Sequence, residues 1–347
     1  MGFEIIEKEE VFFEKGKLDL ASVHYNGSAG VSQNNVPSYE IFCQELLDFL
    51  EAFSEYDIWV MNRYEGHNMK LHDSQYNRYI IHMAELGVIN VTFANGGTKF
   101  SNNPNIKFQK ISYWLGKNTH QNQIIKPRTF DKHFLYMNRL DKIHRKVLFQ
   151  RVEEENLLDY CIWSYAAADK THPKHKTIEG VTIDYEESYR ETDILPEFLT
   201  TFCSVVTESQ YGFGSPIKPH AQASLCAPFP TEKTEKCFVA GQPFIAVSTP
   251  YFLKQLRAWG FETFGDFWDE SYDEEINDDK RLDKILEVMK YISSLSLSQL
   301  EQMYIDMKPK LIVNQKRNLE FMYKNGNKGF QYVDEIPLEE IKKPYLI

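Results

Sequence analysis

The chain has 347 residues, with 39 basic against 50 acidic side chains and a net charge of −11, which disfavours a broad nucleic-acid-binding surface and confines any phosphate contact to a local site. The length exceeds that at which one hydrophobic core stops growing, so two domains are the default. No stretch reaches the length of a membrane span, the start MGFEIIEKEEVFFEKG lacks the basic n-region of a leader, and the five cysteines have an odd count and no CxxC or zinc spacing, so a reducing, cytoplasmic compartment is expected.

In chain order, the loop His24–Gly30 follows an early strand, and its glycines permit close backbone approach without matching a known phosphate loop. Tyr39–Phe53 carries an amphipathic helical pattern, and Ile58–Met61 and Val88–Phe93 are short β-rich runs. That alternation implies an α/β layer. After the Ile58 strand, Asn62–Asn68 places a carboxylate and an imidazole at a strand end, so Glu65, and after it His67, is the candidate general base; each also reads as part of a polar surface turn. Asn95–Thr98 is a tight turn.

The polar segment Gly116–Arg128 is the expected crossing between domains, taken as 1–127 and 128–315, with 316–347 a final helix and tail. Phe134–Met137 then reads as a strand running into Asn138 and Arg139. Leu140–Val152 follows with helical spacing. Arg139, His144 and Arg145 lie at or just inside that helix start, where a guanidinium can clamp a diphosphate, although a solvated basic face fits His144 equally well.

The most informative stretch runs from Val205 to Phe267, its first strand beginning at Phe202. An apolar strand ends on Thr207, Glu208 and Ser209; Thr231, Glu232 and Lys233 open a helix closed by Gly241; and Pro243–Val247 is a buried strand of parallel-sheet type. Open amides and a positive dipole at the Thr231 helix start favour an anionic ligand, while a neighbouring carboxylate accepts hydrogen bonds from sugar hydroxyls. A nucleoside diphosphate sugar suits both. Trp259, Phe261, Phe264 and Phe267 read as core, and the acidic run Asp266–Asp283 reads as a solvated helix-initiating loop, since it lacks EF-hand spacing.

TEKTEKCFVAGQPFI, placed after a strand ending in Glu-Ser, resembles the donor-site segment of GT-B glycosyltransferases of the fucosyltransferase and exostosin-like kind. In these, (S/T)-E-K, a helix and a small-Gly-x-Pro-hydrophobic turn follow a strand ending in Glu-Ser or Glu-Asn. HFLYMNRLDKIHRKVLFQRV, LKQLRAWGFETFGDF and the closing helix around KPKLIVNQKRNLEFM extend the resemblance over about Asp131–Asn318, towards glycosyltransferases of bacteria, phages and large viruses. It implies two Rossmann-like α/β domains facing a cleft, with the last helix crossing back to the first domain. It also implies transfer of a sugar from a GDP- or UDP-sugar co-substrate to a glycan hydroxyl, inverting and without a metal, no Asp-x-Asp motif being present at a strand end. Asn138, Arg139, Arg145, Glu208, Ser209, Thr231, Glu232 and Lys233 would form the donor site, with Glu232 on hydroxyls and Lys233 and Arg145 on the diphosphate. For a viral protein the compartment would be the host cytoplasm. Two other readings stay open: a non-catalytic carbohydrate- or nucleotide-binding protein of the same fold, and a nucleotide-sugar epimerase or hydrolase.

Overall fold

The computed structural model describes residues 3–5, 17–20, 23–25, 38–51, 54, 56–61, 75–95, 101, 103–112, 115, 122–166, 169–176, 194–211, 228–324 and 331–332. These fall into two compact units, one drawn from 1–112 and the other from 113–212 and 228–347.

In the first unit, β2 (Lys17–Asp19), β4 (Asp57–Met61), β5 (Val91–Asn95) and β6 (Ile106–Ser112) pair in parallel in chain order, beside an antiparallel pair of β1 (Phe3–Ile5) and β3 (Val23–Tyr25). Helix α1 (Tyr39–Glu51) buries Phe42, Leu46 and Leu50, an i, i+4, i+8 stripe that is the expected amphipathic face. Helix α2 (Gln75–Glu85) was not foreseen, its polar residues masking the buried Ile80, Met83 and Ala84. Gly87 then turns with φ 76° while Val88 N–H bonds Met83 O at 2.9 Å. That helix ending moves the strand expected at Val88 to Val91.

The second unit holds a four-stranded sheet in the order β10 (Phe244–Val247), β9 (Thr201–Thr207), β7 (Lys132–Met137), β8 (Cys161–Ser164), all parallel. Every residue of β9 and β10 is buried, which is why both read as unbroken apolar runs. Around the sheet lie α3 (Ile143–Glu154), α4 (Glu197–Thr200), α5 (Glu232–Ala240), α6 (Phe252–Ala258), α7 (Asp278–Ser293) and α8 (Leu297–Lys324). Trp259, Phe261 and Phe264 are buried as expected and Phe267 packs against the same core. The acidic run does start a helix: Asn277 Oδ1 caps α7 by accepting from Lys280 N at 3.0 Å, with Asp278 and Asp279 in the first turn.

Helix α8 begins well before residue 316 and is bonded to the carboxyl end of α5 through Tyr304 and Gln315. The last carbonyls of a helix have no partner within it; here Val239 O accepts from Gln315 Nε2 at 3.0 Å, Ala240 O from Arg128 Nη2 at 2.5 Å and Gly241 O from Tyr304 OH at 2.9 Å. Further along, Asn314 brackets Glu262 by accepting from its N–H at 2.7 Å and donating to its carbonyl at 3.0 Å.

Gly241 closes α5 in the left-handed region, with φ 61°, and a Cβ there would meet Ile125 Cγ1 at 2.5 Å. Gly241→Ala should therefore cost about 1–2 kcal/mol from backbone conformation alone, with the Ile125 clash adding to it. A melting temperature equal to that of the wild type would show that this helix end is not held as described.

Candidate functional site

In the second sheet the chain goes from β7 to β8 on one side and then returns to β9 and β10 on the other. The reversal creates a switch point between the carboxyl ends of β7 and β9, where ligands of open parallel sheets bind. Asn138 and Arg139 follow β7 there, and Glu208 and Ser209 follow β9. Asn138 spans the point, since its Oδ1 accepts from Thr207 Oγ1 at 2.7 Å and its backbone N–H donates to Ser164 O at 3.0 Å.

Glu208 is fully buried. Its Oε1 accepts from Thr231 N at 3.0 Å and Thr234 Oγ1 at 2.5 Å, and its Oε2 accepts from Thr231 Oγ1 at 2.6 Å. The carboxylate thus sits on the amino end of α5, where both the dipole and the hydroxyls favour negative charge. The N-cap amide of Thr231 is taken by the protein's own carboxylate, and Glu208, at the end of β9, anchors α5.

The basic start of α3 is also turned inward. Lys142 Nζ donates to Ser209 O at 2.9 Å, His144 Nε2 lies 3.1 Å from Glu208 O, and Arg145 Nη2 donates to Thr207 O at 2.9 Å and Glu208 O at 3.3 Å. Arg145 is 2% exposed, so the guanidinium expected to clamp a diphosphate instead fixes the carbonyls that end β9. Because its partner is a carbonyl, His144 carries the proton on Nε2. Burial, with the neighbouring Arg145 charge, pushes its pKa down to about 3, and the neutral ring stacks on Tyr211 with centroids 5.1 Å apart. On Tyr211's ring also lies the Arg281 guanidinium, 4.1 Å from the centroid. Arg281 is 1% exposed and donates to Ser248 O at 3.1 Å, Glu275 O at 2.8 Å and Tyr211 O at 2.7 Å. It ties β10, β9 and α7 together.

Glu232 and Lys233 begin α5 and remain half-buried. Lys233 Nζ lies 2.7 Å from Glu232 Oε1 and 3.0 Å from Thr231 Oγ1. Burial raises the pKa of Glu232, but the Lys233 charge and hydrogen bond outweigh it and hold the carboxyl below its usual range. Among the foreseen donor residues, Arg139, Ser209, Glu232 and Lys233 are half-buried, whereas Asn138, Arg145, Glu208 and Thr231 are buried. Glu65 and His67 lie outside the described residues.

Sequence reading missed Lys142, Arg281 and Ser248–Thr249, the last visible only as the polar pair after the PFIAV run. Lys170–Lys176 forms a loop that side chains tie down. Tyr165 OH donates to Asp141 Oδ1, His172 Nε2 lies 3.2 Å from Asp141 Oδ2, and His172 Nδ1 accepts from Lys174 N at 3.1 Å. Both ring nitrogens of His172 are occupied, so it fastens the loop to the end of β7 and offers no free base. Among the described residues no group of three or more His, Cys, Asp or Glu is arranged to hold a metal, and no helix is long and apolar enough to cross a membrane.

No family model and no curated protein matches the chain. Two solved structures that it resembles are both of alpha1,3-fucosyltransferase. One, with GDP, has a TM-score of 0.32 and 11% identity over 87% of this chain and 91% of that one. The other has a TM-score of 0.31 and 11% identity over 84% and 89%. At these TM-scores the likeness adds nothing to the description of the site, and the α/β class with parallel sheets rests on the strand pairing itself.

Two outcomes follow from the buried contacts. Glu208→Ala removes three hydrogen bonds to one carboxylate and should lower unfolding free energy by about 3 kcal/mol or more; a loss well under 1 kcal/mol in denaturant titration would mean the clamp is not formed. For His144 the folded pKa lies below the ordinary 6.5, so the unfolded chain takes up its proton first as pH falls. The stability of the neutral ring is complete above about pH 6.5 and is lost as pH drops towards about 3. The wild-type melting temperature should fall more steeply over that window than that of His144→Phe, and equal slopes would contradict a neutral buried His144.

Proposed function

We propose that this protein is a glycosyltransferase that moves a sugar from a nucleotide-activated donor, a GDP- or UDP-sugar, to a hydroxyl of a glycan acceptor, with inversion and without a metal. The observation that carries the reading is the switch point itself, where the polar ends of β7 and β9 and the Glu232–Lys233 pair of α5 belong to one buried, preorganised frame. Buried, fixed dipoles and charges cost no reorganisation when charge develops on a leaving group.

The roles divide by accessibility. Glu208, Arg145, His144 and Thr231 build the frame. Arg139, Ser209, Glu232 and Lys233 are the half-buried groups for the donor, with Lys233 on the diphosphate and Glu232, kept ionised by Lys233, on ribose or sugar hydroxyls. The base on the acceptor hydroxyl is proposed to be Glu65, with His67 second, and the donor side to be 128–315, apart from the 1–127 and 316–347 segments. A reducing cytoplasm suits Cys161, Cys203 and Cys237, free and buried, with burial pushing the Cys161 and Cys237 thiols up to about 12.

Thermal unfolding of wild type and Glu232→Ala against UDP, GDP, CMP and their common sugar conjugates tests the donor assignment. A ligand at about 100 times its Kd adds roughly 2.7 kcal/mol, a shift of several degrees. The expected result is a shift for one nucleotide family that Glu232→Ala loses. A folded wild type that shifts with none of them would overturn the assignment. Sugar release or epimerisation without acceptor would favour the hydrolase or epimerase reading, and tight binding with no turnover in any acceptor mixture would favour the binding protein.

A further inference from the structure

We propose that Tyr165 and His172 are positioning residues for Arg139: acting through Asp141, they hold the loop 138–142 so that Arg139 is presented to a diphosphate. The inference rests on the donor reading above and extends it to a loop on the β8 side of the sheet, away from α5.

Residues 138–142 join the end of β7 to the start of α3, with Arg139 second in the loop. Two of its polar side chains fasten it towards β9: Asn138 Oδ1 accepts from Thr207 Oγ1 at 2.7 Å, and Lys142 Nζ donates to Ser209 O at 2.9 Å. Asp141 fastens it in the opposite direction. Its Oδ1 accepts from Tyr165 OH, and its Oδ2 lies 3.2 Å from His172 Nε2. Between these anchors Lys142 N–H turns back on Leu140 O at 3.0 Å.

Both partners of Asp141 are themselves fixed. Tyr165 directly follows β8, is 1% exposed, and stacks on Phe149 of α3 with centroids 4.2 Å apart. A buried phenol needs an acceptor, and burial first, then the hydrogen bond and charge of Asp141, push its pKa well up, so it stays a donor. His172 belongs to a loop that pairs with Tyr165 through two backbone bonds to Lys176, each 2.9 Å. Lys174 Nζ ties that loop to Glu153 of α3 at 2.6 Å. Because His172 Nδ1 accepts from Lys174 N at 3.1 Å, its proton lies on Nε2, facing Asp141.

The His172–Asp141 contact is partly open to water, with side chains 20% and 29% exposed, and a contact of that kind adds little to stability. Its consequence is geometric. A guanidinium recognises a diphosphate through a rigid planar fork, and a loop already held in place spares the ordering cost that binding would otherwise carry. Removing a partner of Asp141 should therefore loosen Arg139 while the fold stays intact.

Isothermal titration of UDP and GDP, with a melting temperature for each variant, tests the assignment on wild type, Arg139→Ala, Tyr165→Phe, His172→Ala, His172→Gln and the double variant Arg139→Ala/His172→Ala. Tyr165→Phe and His172→Ala should each weaken the nucleotide that wild type binds on the order of 10-fold, the scale of one charge-assisted contact. His172→Gln keeps an N–H that reaches Asp141 and should bind as wild type does. The double variant should bind as Arg139→Ala alone, since a positioning residue has nothing left to position. Losses that add to that of Arg139→Ala, a His172→Gln as weak as His172→Ala, or wild-type affinity in both Tyr165→Phe and His172→Ala would overturn the positioning role. If Tyr165→Phe does not fold, the His172 variants decide. Wild type that binds while Arg139→Ala is unchanged removes Arg139 from the site and this inference with it. Wild type that binds neither nucleotide overturns the donor reading itself.

Discussion

The second unit depends on where the Glu208 carboxylate goes. A carboxyl group removed from water must recover its solvation from fixed partners, and Glu208 recovers it from the Thr231 amide, two threonine hydroxyls and the positive end of α5. The contact joins the end of β9 to the start of α5 across 23 residues of chain. It fixes the direction in which α5 leaves the sheet, and with it the places of Glu232 and Lys233. A carboxylate that looks like ligand chemistry in the sequence is thus the part that makes the start of α5 rigid.

The same logic recurs with opposite charge. Arg145, His144 and Lys142 converge on the carbonyls that end β9, and Arg281 on those that follow β9 and β10. Strand ends leave carbonyls without ladder partners, and buried carbonyls must be paired. Here the cationic Lys142, Arg145 and Arg281 and the neutral His144 do so, leaving the carboxyl edge of the sheet lined by groups that cannot reorganise freely. At the far end of α5, Arg128, Tyr304 and Gln315 satisfy the terminal carbonyls, so the helix is held at both ends by side chains distant in sequence. Such an edge is suited to hold charge on a ligand without paying to move.

Much of this frame was legible. The β9, α5 and β10 elements are bounded by unambiguous punctuation: Thr231 as N-cap, Gly241 as left-handed C-cap, and apolar runs long enough only for buried strands. The positions of Asn138, Arg139, Glu208 and Ser209 at strand ends follow from the same reading. What could not be read was which polar group faces inward, because a basic residue at a helix start looks the same on a carbonyl as in water. Arg145 and Glu208 are the instances, each decided by a partner some 23 to 63 residues away. Short or weakly patterned elements were missed for another reason: β8 is only four residues long, and α2 buries its face among Tyr, Asn, Arg and His.

The central claim is that a nucleotide-bearing ligand sits on the carboxyl edge of the second sheet, and amide hydrogen exchange reads that edge directly. Wild-type protein saturated with whichever of UDP or GDP binds should show slowed exchange at residues 138–145, 207–211, 231–234 and 248–249 relative to the free protein, with little change in α7 and α8. Protection confined to other segments, in a sample that demonstrably holds the nucleotide, would contradict the account.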